Sequence, residues 1–187
     1  NTLLTLDDYL IKADSYSKNS YLVRVEDGTL TLGDGNSTNN SGKNQLIESD
    51  GGIENVLLAA IGKTAKLVTD KDITVNALNG VRQTGIYVGD LTASPSNAGG
   101  KVEFFGKLKV GGAASKGIVV DKAGVSSATG ASVTNSGEMN ISGGSYHDSI
   151  LNKTVGTTGV IVNGQYSKFT SAGTGSTFNV DVTDKES

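Results

Sequence analysis

The chain has 187 residues, a net charge of −3 and a pI near 5.1, which leaves no electrostatic footprint for a phosphate backbone and argues against nucleic acid as a partner. Only two of its sixteen basic residues are arginine, Arg24 and Arg82, so the bidentate forks that grip phosphates and bases are nearly missing. Cysteine is absent, which excludes a disulfide framework and thiolate metal sites. With 26 glycines, one proline and 5% aromatics, the core must come from Ile, Val, Leu and Ala.

In chain order, the sequence opens on Asn1 with no basic or apolar leader behind it, as expected where a signal has been removed or a piece excised. Thr5–Ile11 reads as a short Thr-capped helix or an edge strand that covers an end of the fold. Tyr21–Val25 and Gly28–Leu32 read as consecutive strands joined by a turn at Glu26-Asp27-Gly28. Gly33–Gly42, ten residues without an apolar side chain, reads as a long surface loop. Val56–Ile61 and Ala65–Val68 read as further strands; the former, at six residues, is far too short to span a membrane. Ala93–Gly100, which holds the proline, and Ser142–Ser145 read as exposed loops.

From Ile73 onward two phrases alternate. Thr84-Gly85-Ile86-Tyr87-Val88, Lys116-Gly117-Ile118-Val119-Val120 and Thr158-Gly159-Val160-Ile161-Val162 place their glycines 32 and 42 residues apart. Between them stand Ile73-Thr74-Val75, Leu108-Lys109-Val110, Met139-Asn140-Ile141 and Phe178-Asn179-Val180, offset by 35, 31 and 39 residues. Strands this short cannot bury an apolar face alone, and stacking successive copies is the way to build a core. The expected fold is all-β, a right-handed parallel β-helix with variable loops, with an antiparallel β-sandwich as the alternative. Residues 1–72 are expected to form an N-terminal cap and irregular first rungs, and 73–187 regular rungs, in one continuous domain. Each period holds either one full turn with an insertion or nearly two short turns. Ile86, Ile118 and Val160 should point inward in one line, and the phrase-leading glycines should sit at corners with positive φ.

No motif commits the chain to catalysis. Gly62-Lys63-Thr64 has the ending of a phosphate-binding loop, yet Leu57 stands where that loop requires its first glycine. His147 lies in Ser145-Tyr146-His147-Asp148, but catalytic triads draw their members from separate segments. Asp70-Lys71-Asp72 could set two carboxylates about 7 Å apart on one strand face, a spacing suited to calcium or to glycoside hydrolysis, although acids flanking a turn lysine are usually just solvated. Neither Asp34-Gly35-Asn36 nor Ser49-Asp50-Gly51-Gly52 recurs with a calcium-binding period. We therefore assign no catalytic residue, no cofactor and no metal ligand. The candidates for partner contact are Tyr146 and His147 in the Ser142–Lys153 loop and Asp34 and Asn36 in the Gly33–Gly42 loop, because recognition concentrates in variable loops on rigid scaffolds.

Gly85-Ile86-Tyr87-Val88 and Asn135-Ser136-Gly137-Glu138-Met139-Asn140-Ile141-Ser142-Gly143-Gly144 resemble the passenger repeats of large type V autotransporter adhesins, particularly those of fusobacteria. The similarity covers about Ile73 to Val182. It implies a surface-exposed or secreted passenger segment whose parent chain is tethered to an outer-membrane barrel while this part stays outside the membrane. The implied role is adhesion or virulence, with a host surface protein or glycan, or a partner bacterium, as the bound surface. A ligand-free spacer stalk and a polysaccharide-degrading β-helix enzyme are the alternatives.

Overall fold

The computed structural model describes residues 3–6, 9–13, 18–33, 45–89, 99–121, 130–150 and 152–182. They form nineteen strands and no helix. Three parallel sheets wrap one core. The first stacks β1 (Leu3–Leu6), β4 (Thr29–Leu32), β7 (Lys66–Thr69), β10 (Lys101–Phe104), β13 (Ser132–Asn135) and β18 (Lys168–Ser171). The second stacks β2 (Tyr9–Ala13), β5 (Gln45–Asp50), β8 (Ile73–Leu78), β11 (Lys107–Val110), β14 (Glu138–Gly143) and β19 (Thr177–Val182). The third stacks β3 (Tyr21–Val25), β6 (Val56–Ile61), β9 (Thr84–Gly89), β12 (Lys116–Asp121) and β17 (Thr158–Val162).

Each coil visits the three sheets in turn, so the fold is a parallel β-helix. One period is one coil of 26 to 37 residues, counted between successive strands of the first sheet. The period is long because the corners carry insertions, not because two turns share it. β3 and β4 are consecutive strands but lie in different sheets, and Glu26–Gly28 forms the corner between coils. The Thr5–Ile11 stretch is strand rather than helix in its described part, with β1 and β2 paired to β4 and β5. The sheets pass residue 72 unbroken, since β5 pairs with β8 in parallel register.

Side chains of equal register stack one per coil, about 4.8 Å apart. Val23, Leu58, Ile86, Ile118 and Val160 form one such column along the third sheet, and Leu58, Ile86 and Ile118 are fully buried. Leu32, Leu67, Phe104, Val75, Leu108 and Met139 complete the core from the other two sheets. At the C-terminal end Phe169 and Phe178 pack at 5.2 Å between ring centroids. Val162 and Val180 are nearly half exposed there.

The glycines that open the phrases are not corner residues with positive φ: Gly85, Gly117 and Gly159 are missing from the left-handed set. They stand where the third sheet faces inward twice in succession. Leu57 and Leu58 both enter the core in β6, and in later coils the first of that pair is glycine. A Cβ on Gly85 would lie 2.8 Å from Val110 Cγ2 and 2.8 Å from the Gly117 carbonyl oxygen. On Gly159 it would lie 2.7 Å from Val180 Cγ2. Lack of space, not backbone handedness, demands glycine here.

Candidate functional site

The corner between the second and third sheets has its own rule. Asn19, Glu54, Arg82 and Ala114 occupy the same place on successive coils, and all four are left-handed, with φ of 51°, 55°, 54° and 52°. Non-glycine residues avoid this region by about 1–2 kcal/mol each, and here the stacked amides hold them in it: Glu54 N donates to Val81 O at 2.9 Å and Arg82 N to Ala113 O at 2.8 Å. The next position is polar on every described coil, Ser20, Asn55, Gln83, Ser115 and Thr157, and Asn55, Gln83 and Ser115 are fully buried. Asn55 Oδ1 accepts from Ser20 N, and Asn55 Nδ2 donates to Ser49 Oγ, both at 3.1 Å.

On the fifth coil the corner is interrupted. Register passes from Val110↔Ile141 to Lys116↔Thr158, which inserts residues 146–156. The insertion folds as an antiparallel hairpin of β15 (Tyr146–Asp148) and β16 (Lys153–Val155), the only antiparallel pair among the described residues. It reaches past Ala114 on the fourth coil, which is 1% exposed, to Arg82 on the third. Arg82 Nη1 donates to Asp148 Oδ2 at 3.2 Å, and its guanidinium lies 5.3 Å from the centroid of the Tyr146 ring. Arg82 Nε lies 3.1 Å from Glu54 Oε1, close enough for an ion pair but off the line of a directed hydrogen bond. Asp148 Oδ1 accepts from Ile150 N at 3.0 Å and sets the hairpin turn.

Arg82 also borders an axial groove of about 490 Å³ on the outer face of the third sheet. The double inward step at Leu57 and Leu58 creates it by spreading two outward columns apart. One column runs Tyr21, Val56, Thr84, Lys116; the other runs Ala59, Tyr87, Val119, Ile161. Glu54, Arg82, Asp121 and Asn163 supply polar groups at its edges. The Arg24 guanidinium lies 4.9 Å from the centroid of the Tyr21 ring. Burial pushes the Tyr21 phenol up from its ordinary value of 10.0, and Arg24 pulls less strongly the other way.

Of the four residues singled out in the sequence, Tyr146 and His147 fall on the hairpin. Tyr146 packs on Arg82, whereas His147 is exposed, with Nδ1 3.3 Å from Thr154 Oγ1. Asp34 and Asn36 lie outside the described residues, as does most of the Ala93–Gly100 loop. The Ser142–Lys153 segment is not an irregular loop: it ends β14 and then builds the hairpin. Asp70 and Asp72 do not present paired carboxylates. Asp70 is fully buried and accepts from Gln45 Nε2 and from Asp72 N, each at 3.1 Å. Lys63 is an exposed turn residue. Arg82, Glu54 and Tyr87 escaped the sequence reading, because nothing local shows that an arginine 66 residues before Asp148 meets it. Among the described residues no helix is long and apolar enough to cross a membrane, and no group of three or more His, Cys, Asp or Glu is placed to hold a metal ion. No protein-family model, curated protein or solved structure matches the chain.

Proposed function

We propose that the chain is a surface-displayed attachment segment of the autotransporter passenger type, a rod that turns its third-sheet groove and its hairpin toward a partner. In this reading it stands on the bacterial surface or is released from it, and its parent chain is anchored in an outer-membrane barrel. The partner is a host surface protein or glycan, or a second bacterium, and the segment works by binding rather than by catalysis. The observation that carries the proposal is the docked hairpin beside the groove. A rod serving only as a spacer needs no corner insertion, whereas this one has an aromatic and charged protrusion clamped next to a preformed cleft.

The test removes the insertion without touching the ladder. Replacing residues 145–156 by a single alanine joins Gly143-Gly144 to Thr157 through a corner equal in length to Gly112-Ala113-Ala114-Ser115 of the fourth coil. The purified protein, immobilised and probed with host cells and with co-resident bacteria, should capture at least one of them. The shortened variant should lose that capture. Undiminished capture by the variant would reject the hairpin as the contact, and no capture by either protein would favour the spacer. Reproducible cleavage of a polysaccharide panel by the intact chain would favour the enzyme.

A further inference from the structure

The first sheet carries a feature that the attachment reading does not use. Lys101, Ser132 and Lys168 share one register column on the fourth, fifth and sixth coils. They line a cleft of about 430 Å³ together with Gly130, Ala131 and the 165–167 turn. No carboxylate lines it, and neither ammonium forms an ion pair among the described residues. The neighbouring coil shows the contrast, since Lys66 Nζ is held 2.8 Å from Glu103 Oε1. Lys101 and Lys168 are both exposed, so among the described residues their ammonium groups face solvent without an ion-pair partner, in a chain whose net charge is −3.

The cleft is built by backbone rather than by mobile side chains. A Cβ on Gly130 would collide with the Tyr166 carbonyl oxygen, which places the 165–167 turn directly over the strand entry. Ser167 N donates to Gly164 O at 3.2 Å and closes that turn. Gln165, Tyr166, Ser132 and Ser167 add hydroxyl and amide functions to the same cleft.

From this arrangement we infer that the column binds an acidic oligosaccharide lying along the rod axis, with a carboxylate on alternate sugars. One coil rises about 4.8 Å, close to the length of one pyranose unit in an extended chain. Charge, hydroxyl, charge along the axis therefore matches acid, neutral, acid along the sugar. Each ammonium takes one carboxylate, Ser132 faces the neutral unit between them, and Tyr166 offers its ring edge and hydroxyl. A nucleic acid is disfavoured, because the cleft contains no arginine and a single aromatic residue.

The probe is a hyaluronan hexasaccharide, titrated against the full chain by calorimetry at low ionic strength. Binding should be measurable and should weaken as salt rises. The pair Lys101→Gln and Lys168→Gln should weaken it at least about fivefold, as expected for loss of two solvent-facing charge contacts. Ser132→Glu, which keeps both lysines but sets a carboxylate between them, should do the same. The pair Lys107→Gln and Lys109→Gln, exposed on the second sheet and equal in charge change, should alter affinity less than twofold. Equal losses in both lysine pairs, equal binding of the methyl-esterified hexasaccharide, or equally tight binding of poly-glutamate would each overturn the assignment, as would no binding at all. Since the hairpin lies at another corner, loss of cell capture on removing it leaves this result unchanged.

Discussion

Single residues in this protein are chosen by the coils above and below them. Gly85 is required because a side chain there would meet Val110 and the Gly117 carbonyl. Gly85→Ala should destabilise the chain by about 1–3 kcal/mol through overpacking, read as a lower urea midpoint; an unchanged midpoint would show that the sheets can part. Glu48 is a second case. It lies on an outward column of the second sheet between Lys12 and Asn76, with Lys12 Nζ at 3.0 Å and Asn76 Nδ2 at 3.3 Å. Hydrogen bonds from these two hold its carboxyl below the ordinary 4.5. A depressed folded pKa contributes stability above the unfolded value, and that contribution is lost as pH falls through the folded one. We expect Glu48→Gln to cost up to about 1 kcal/mol at pH 7, given its partly exposed partner. The difference from the parent should close in acid, and a difference that persists below the folded pKa would contradict the ion-pair account.

At the scale of elements, the hairpin β15–β16 is, among the described residues, the one unit held by side chains rather than by the ladder. Its anchor is the contact of Asp148, 7% exposed, with Arg82. Asp148→Asn keeps an acceptor for Ile150 N but removes the charge that Arg82 meets, a loss of about 1–3 kcal/mol to hairpin docking. The coils do not depend on that contact. Trypsin should therefore cut after exposed Lys153 severalfold faster in the variant, while the thermal midpoint of the coils stays within a few degrees. A large fall in that midpoint would mean that the hairpin is part of the core instead of an appendage.

The whole molecule is a stack in which, the Arg82–Asp148 contact of the hairpin aside, each coil packs on its neighbours, so stability depends on position along the axis. Ile86 is fully buried with a coil on either side, and Ile86→Ala should cost about 2–5 kcal/mol. Val180, 45% exposed in β19 at the edge of the second sheet, should cost less than about 1 kcal/mol when truncated to alanine, because little of its surface leaves water. Denaturant titrations of the two variants compare them directly. Similar losses would argue for a globular core rather than a stack.

The repeated phrases were enough to read the all-β parallel stack and the inward line of Ile86, Ile118 and Val160, because a period of two within strands and a longer period between them are both written in side-chain type. The apolar residues two apart in Met139-Asn140-Ile141 and Phe178-Asn179-Val180 were equally legible as strands. The role of Gly85 was not. A glycine that answers a facing valine looks the same in sequence as one that turns a corner, and only packing across the core separates them. The left-handed corner of Asn19, Glu54, Arg82 and Ala114 was hidden for a related reason: no residue type marks it, and the stacked amides impose it. The groove and the Arg82–Asp148 clamp were decided by tertiary structure alone, since register brings together residues 66 apart, and register is a property of the stacked coils that no local pattern records.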